Sequence, residues 1–210
     1  MNQGGEIKVW DPLVRLVHWS LVAAFAVVYL TGEEESILHI WSGYAVGVLV
    51  ALRVLWGFVG TRYARFADFV YRPATVLAYA KDFLRAAPQR YIGHNPLGGA
   101  MVIALLLSLA GATLSGLWLY GAEENKGPAA PLTAGGAAHF AVIAGAHAHG
   151  DDEGEQNEHD DDGGVLGEVH EFFANLTLLL VVLHIAGVLL SSAMHRENLI
   201  RAMITGRKRI

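Results

Sequence analysis

The sequence contains no cysteine among its 210 residues, and charged residues are scarce. Without cysteine sulfur the chain cannot form disulfides, thiolate zinc sites, iron–sulfur clusters or the covalent attachment of a c-type haem. Charged residues make up 17% of the chain, whereas an ordinary soluble domain carries about 25%. A basic stripe with interleaved aromatic residues is also lacking, which argues against nucleic acid as a partner.

Hydrophobic residues, in contrast, form 53% of the chain and gather into four runs. Each run is long enough to cross a hydrocarbon core, which takes about 20 helical residues. The runs occupy about residues 13–30, 37–59, 96–120 and 168–193. We therefore expect an all-α integral membrane protein, a four-transmembrane-helix bundle in which residues 1–210 form a single membrane domain. The start of the chain lacks a basic signal-peptide region, so we expect the first run to be retained.

The positions of lysine and arginine predict the orientation of the four runs. Most of them lie in residues 60–95 and in the tail 195–210, whereas the connection at 32–36 has none and residues 121–167 contain only Lys126. Basic residues favour the cytoplasmic side of a membrane. The pattern therefore predicts a multi-pass membrane protein, surrounded by lipid, with both termini cytoplasmic. In a bacterium, the membrane would be the inner (cytoplasmic) membrane and the outer side would be the periplasm.

Two connections have unusual compositions. Residues 121–167 are acidic and rich in glycine, alanine and histidine, and they contain too little apolar surface to offset the entropy of ordering. We expect them to form a mobile loop outside the membrane. Residues 66–84 mix aromatic and charged side chains, which predicts a helix along the membrane surface.

Four histidines lie inside or at the edge of the runs: His18, His39, His170 and His184. A single intramembrane histidine can simply form a hydrogen bond between helices. However, ionisable residues in a bilayer are costly and usually functional. His170 and His184 are fourteen residues apart, which places them on one helix face and about 21 Å apart along the axis. One helix thus offers two imidazoles at different depths.

The predicted topology pairs these histidines by depth. His39 and His170 fall near the outer surface, and His18 and His184 fall nearer the inner one. Two imidazoles at the same depth are suitable axial ligands for a six-coordinate haem iron. We therefore predict two non-covalent b-type haems in the bundle core, one on each pair.

Two arginines are candidate partners for haem propionates. Arg53 follows His39 by fourteen residues, which places it at the depth of the inner haem. An unpaired arginine there would be costly, so it either pairs with a propionate or extends to the inner headgroups. Arg15, one turn from His18, is a second candidate. His94 is not predicted to bind haem, and it fits either a helix-entry cap or a quinone contact.

The motifs around these residues resemble those of the bacterial cytochrome b561 family, which includes the b-type cytochrome subunits of nickel–iron hydrogenases. They are Val9-Trp10-Asp11-Pro12 leading through Arg15 to His18-Trp19, His39 followed by Gly43-Tyr44, Gly93-His94-Asn95-Pro96-Leu97-Gly98, and His170-Glu171 leading through Asn175 to His184. The resemblance implies two b haems ligated from the first, second and fourth spans, at the same four histidines.

The resemblance also implies electron transfer between membrane quinones and a periplasmic redox protein. We therefore expect a quinol-linked electron-transfer protein of the oxidoreductase type. Its acidic outer loop would favour a basic periplasmic partner such as a c-type cytochrome by electrostatic steering.

Two alternatives remain open from the sequence. Some members of the family resemble superoxide oxidases, which reduce ubiquinone with electrons from superoxide, although an acidic outer face would repel that anion. Alternatively, the outer loop could sense or deliver a metal ion. It carries four histidines beside runs of aspartate: His139, His147, His149 and His159.

Overall fold

The computed structural model describes residues 5–32, 36–133 and 164–209. Most of the predicted outer loop, with its four histidines, lies outside these residues. The elements in chain order are β1 (Glu6–Lys8), α1 (Pro12–Leu30), α2 (Ile37–Val59), a 3-10 turn (Arg62–Ala64), α3 (Phe66–Phe69), α4 (Pro73–Leu84), α5 (Pro96–Glu124), α6 (Ala130–Thr133), α7 (Gly164–His195), α8 (Leu199–Thr205) and β2 (Arg207–Arg209).

Four helices, α1, α2, α5 and α7, are long and apolar enough to cross a membrane. The prediction of an all-helical chain with four membrane-length helices is therefore confirmed. The helices α5 and α7 extend beyond the apolar runs that predicted them. The 32 residues of α7 span about 48 Å, which exceeds a hydrocarbon core of about 30 Å. Membrane thickness limits the apolar stretch but not the helix that contains it.

Side-chain caps determine where three of these helices begin. Asp11, Ser36 and Asn95 each accept a hydrogen bond from the backbone N–H three residues later, at 2.9, 3.3 and 2.6 Å. These bonds satisfy N–H groups that the first turn of a helix leaves unpaired. His94 is therefore not the cap of α5, because its neighbour Asn95 takes that position and Pro96 begins the helix.

The described residues form two compact units. The first comprises Met1–Ala110 and Asn175–Ile210, and its core joins α2 to α5 through buried apolar side chains. These side chains are Val46, Val50, Leu106 and Leu109, with Leu21, Ala24 and Phe25 of α1 packed against them. The second unit is Gly111–Ala174. In it, α6 packs so closely that a Cβ on Gly121 would lie 2.9 Å from the nitrogen of Ala130.

The connection between α2 and α5 contains two helices, so the prediction of one helix over residues 66–84 is wrong. α3 ends at Phe69 and α4 begins at Pro73. Proline disfavours the helical conformation in the residue before it, and Arg72 is extended, with ψ 144°. The short α3 is held on both sides, because a Cβ on Gly57 would overlap the Phe66 ring and one on Gly99 would overlap the Phe69 carbonyl.

The first and last described segments form an antiparallel strand pair, which no sequence pattern predicted. β1 pairs with β2 so that Ile7 lies opposite Lys208. The Lys208 side chain is buried and donates to the carbonyls of Tyr91 and Ile92 at 3.4 and 3.1 Å. It also forms an ion pair with Glu197 at 3.7 Å. The strand pair is thereby fastened to the segment that precedes α5.

Candidate haem-binding site

His18 of α1 and His184 of α7 come together in the first unit. Their ring centroids are 6.4 Å apart and the ring planes are inclined by 66°. A metal–imidazole nitrogen bond is about 2 Å long, and the ring centre lies about 1 Å further on, so two opposed ligands of one metal have centres about 6 Å apart. The spacing of the two rings therefore fits a haem iron between them.

His39 of α2 is oriented by a backbone carbonyl. Its Nδ1 lies 2.9 Å from the carbonyl oxygen of Val28 in α1. A carbonyl oxygen can only accept, so Nδ1 carries the proton and donates. In a neutral imidazole the lone pair then resides on Nε2. Metal-binding histidines commonly have their tautomer fixed in this way.

His170 of α7 has the same arrangement in the second unit. Its Nδ1 lies 3.0 Å from the carbonyl oxygen of Ala112 and 3.2 Å from the hydroxyl of Ser115. The lone pair of the neutral ring is therefore again on Nε2. A Cβ on Gly116 would lie 2.8 Å from Cε1 of His170, so the ring requires a glycine at this position.

The structure thus brings one of the two predicted pairs together. His18 and His184 are neighbours, whereas His39 and His170 belong to different units, and their pairing stays a prediction. Within residues 5–32, 36–133 and 164–209, no cluster of three or more potential metal-binding side chains occurs. A bis-histidine haem needs only two protein ligands, so the arrangement is suited to haem rather than to a metal ion held by protein alone.

Arg53 is buried inside the first unit. Its exposed fraction is 8%, and its Cζ lies 5.6 and 5.7 Å from the ring centroids of Phe66 and Phe69. Among the described residues, its Nη1 has no hydrogen-bond partner. Such a buried guanidinium needs an acceptor, and the predicted contact of Arg53 with a propionate stays a prediction.

Arg15 contributes to the connection between α1 and the C-terminal segment. Its Nη1 donates to the carbonyl of Ile204 in α8 at 2.5 Å. Its Nε is buried and finds no acceptor in the part of the chain that the structure describes. The guanidinium therefore has a structural contact on one side, and its predicted contact with a propionate stays a prediction.

His94 lies just before α5, between aromatic neighbours. Its ring centroid is 4.6 Å from that of Trp10 and 4.6 Å from that of Phe69. Burial, followed by the nearby positive charges of Arg53 and Lys208 and by His184, lowers the pKa of His94 to about 3. The imidazole is therefore neutral at physiological pH and has one N–H group to donate.

A cavity of about 700 Å³ opens where α1 begins and α2 ends. Its walls are mainly apolar and include Leu13, Leu16 and Trp56. Tyr63, Lys8 and Arg62 add polar atoms to its lining. A cavity of this size, apolar with a few polar groups, is typical of small-molecule sites.

Four membrane-length helices, a facing pair of histidines and the lack of cysteine are the features expected of the membrane proteins that hold haem without covalent attachment. A family model described as "Prokaryotic cytochrome b561" matches residues 9–206 of the sequence. The chain therefore belongs to the prokaryotic cytochrome b561 family. It is a b-type membrane cytochrome, and its cofactor is b haem.

Curated relatives carry related descriptions. A "Probable Ni/Fe-hydrogenase B-type cytochrome subunit" of Bradyrhizobium diazoefficiens is 28% identical over 153 residues, which cover 58% of this chain and 60% of the relative. The "Probable Ni/Fe-hydrogenase 1 B-type cytochrome subunit" of Escherichia coli K12 is 27% identical, covering 59% and 64%. A Cupriavidus necator subunit is 29% identical, also covering 59% and 64%. The chain thus spans about three fifths of the length of these relatives. No solved structure matches it.

Proposed function

We propose that this protein relays electrons across the bacterial inner membrane, between the quinone pool and a redox protein on the periplasmic side. His18 and His184 hold an inner b haem, His39 and His170 hold an outer one, and both termini are cytoplasmic. The observation that carries the proposal is the 6.4 Å spacing of the His18 and His184 rings. The bound haem supplies reversible one-electron transfer at its iron.

The residues around the histidines adjust their chemistry as ligands. The carbonyl of Val28 accepts from His39, and the carbonyl of Ala112 accepts from His170. Such bonds hold an imidazole in one rotation and raise the basicity of the nitrogen opposite the bonded one. Both histidines proposed for the outer haem share this device, although they lie on different helices.

The cavity at the start of α1 is the site that we assign to the quinone. Leu13 and Leu16 line it and lie less than two turns from His18 on the same helix. A quinone ring placed there would lie at the end of the helix that carries His18. The ammonium of Lys8 and the phenol of Tyr63 supply hydrogen-bond donors for quinone carbonyl oxygens.

The names of the relatives point to a hydrogenase as the first partner to test. Each of the three relatives above is described as a cytochrome subunit of a Ni/Fe-hydrogenase. The chain spans about three fifths of their length, so the partner has to be identified by experiment. A basic c-type cytochrome is the second candidate, because residues 151–162 carry eight aspartates and glutamates.

The test is an anaerobic visible spectrum of the purified full chain, with haem quantified per chain before and after addition of ubiquinol or menaquinol. We expect two b haems per chain and reduction by quinol. Addition of an oxidised hydrogenase or c-type cytochrome should then reoxidise them. One haem per chain or none would contradict the proposal. If quinol does not reduce the two haems but superoxide does, the proposed electron transfer from quinol would be wrong.

A further inference from the structure

Two buried polar groups near the His18–His184 pair have no role in the proposal so far. The Nη1 of Arg53 and the Nδ1 of His94 are both shielded from solvent, and within the described ranges neither has a hydrogen-bond partner. A buried polar group without a partner costs about 1–3 kcal/mol, and a charged one costs more. The Nη1 of Arg53 can only donate, and the Nδ1 of His94 donates in one of its two tautomers, so a single acceptor would satisfy both groups.

Both groups lie against the same aromatic ring. The Cζ of Arg53 is 5.7 Å from the centroid of Phe69, and the ring of His94 is 4.6 Å from it. Phe69 has an exposed fraction of only 1%, and its carbonyl is held against Gly99 of α5. The positions of both polar groups are therefore set by packing.

Among the described residues, no carboxylate forms an ion pair or a hydrogen bond with Arg53 or His94, and the nearby carboxylate of Glu197 is paired with Lys208. Lys208, Arg53 and His184 are the groups whose charges act on His94. Arg53 takes part in no ion pair among the residues that the structure describes. Asp11 acts on Arg53 from a distance, but its oxygens already accept from Val14, Trp56 and Thr61.

We propose that Arg53 and His94 together bind one carboxylate, and that it is a propionate of the haem held by His18 and His184. The Nη1 of Arg53 and an N–H of His94 donate to its oxygens. This inference rests on the proposed function, because it requires that haem. Arg53 lies within the membrane helix α2, which separates it from soluble anions, and His184 is close enough to influence His94 electrostatically.

The assignment gives His94 a binding role that its position in the sequence did not reveal. His94 precedes α5, whereas Arg53 is part of α2, so one carboxylate bound by both residues connects two parts of the chain. The haem would then be held through its iron by α1 and α7, and through the propionate by α2 and the segment that precedes α5.

The experiment uses the haem-loaded full chain with four variants: Arg53→Gln, Arg53→Lys, His94→Leu and His94→Gln. Arg65→Gln is the matched control. Arg65 lies in the connection between α2 and α5, as His94 does, and its side chain is 47% exposed. Two quantities are measured: the midpoint potential of each haem by spectroscopic redox titration, and the rate of haem transfer to excess apomyoglobin.

We expect Arg53→Gln and His94→Leu to lower the potential of one haem and leave the other unchanged, because the first removes the positive charge beside the propionate and the second removes a hydrogen bond that stabilises it. Loss of one charge-assisted hydrogen bond should speed release of that haem about 10- to 100-fold. Arg53→Lys and His94→Gln, which keep a donor, should restore most of both quantities, and Arg65→Gln should match the unaltered chain.

Haem dimethyl ester provides the direct test of carboxylate recognition, because it lacks the propionate charges. The unaltered chain should release the ester faster than haem, and this difference should shrink in Arg53→Gln.

Equal potentials and equal release rates in all chains would overturn the inference while leaving the histidine-bound haems intact. Variants that are reduced more slowly by quinol, with unchanged haem potentials and release rates, would also overturn the inference. Arg53 and His94 would then be assigned to quinone binding. If the variants fail to assemble, equal release of haem and ester from the unaltered chain decides against it.

Discussion

His18 and His184 face each other with ring centroids 6.4 Å apart, at a spacing that accommodates one metal between two imidazoles. Because both rings would hold the same iron, we expect His18→Ala and His184→Ala to lose the same haem and to have identical spectra. The double variant should lose no more. His195→Ala, at the end of α7, is the control and should keep both haems. Spectra in which the two single variants lack different haems would contradict the pairing.

Gly116 should be as important for the outer haem as a ligand is. A Cβ at this position would lie 2.8 Å from Cε1 of His170, so Gly116→Ala must displace the ring. We expect lower haem occupancy, measured as haem per chain after purification. Gly187→Ala is a suitable control, since a Cβ there meets nothing within 4 Å among the described residues. Equal occupancy in the two variants would show that the position of this ring is not critical.

Asp11 should make the stability of the chain depend on pH. Burial alone would raise the pKa of Asp11, but hydrogen bonds from Thr61, Trp56 and the backbone of Val14 outweigh it, and the pKa lies below its ordinary value of 3.8. The carboxylate therefore stabilises the fold above about pH 4, and this contribution is lost as the pH falls through the lowered pKa.

Asp11→Asn should consequently destabilise the protein by about 1 kcal/mol at pH 7, through a weaker cap and weaker side-chain bonds. The difference from the unaltered chain should shrink at pH 3. Thermal unfolding in detergent at both pH values measures this. The exposed Glu6→Gln serves as the control, and a difference that stays constant with pH would refute the assignment.

Ser108 of α5 and Thr177 of α7 form a buried hydrogen bond, with their hydroxyl oxygens 2.5 Å apart. Such bonds between membrane helices contribute about 0.6–2 kcal/mol. We expect Ser108→Ala and Thr177→Val each to lower the unfolding free energy by that amount. The double variant should lose less than the sum, because the shared bond can be lost only once. Strict additivity would mean that the two hydroxyls act through other partners.

Leu16→Trp should slow reduction of the haems by quinol. Leu16 lines the cavity assigned to the quinone, and its side chain is 65% exposed, so a larger side chain fills space there without disturbing the core. Stopped-flow reduction by quinol measures the rate, and reduction by dithionite provides the control for intact haem. Leu107→Trp, exposed on α5, is the matched variant. Equal quinol rates in the two variants would place the quinone elsewhere.

The membrane helices and the histidines could be predicted because each leaves a strong signal in the sequence. A run of apolar residues defines a span, and the fourteen-residue spacing of His170 and His184 defines a shared helix face. The carbonyl groups of Val28 and Ala112 that orient His39 and His170 could not be predicted. Every residue has a carbonyl, so which of them meets an imidazole depends on how two helices pack.

Short elements escaped prediction for a related reason. The strands β1 and β2 have three residues each, too few for an alternating pattern to be recognised. The break between α3 and α4 did leave a signal, Pro73, which outweighs the continuous amphipathic pattern on either side. A helix-entry cap was one of two roles that suited His94, because His94 stands next to Asn95, the residue that provides the cap.

The strand pair also has a consequence for the order in which the protein is built. A ribosome adds Arg207–Arg209 only after all four membrane helices have been synthesised. Until then the carbonyls of Tyr91 and Ile92 lack the ammonium of Lys208, and Trp10 lacks the carbonyl of Gly206. The part of the protein around His94 is therefore completed only after the four membrane helices have been synthesised, when β2 meets β1.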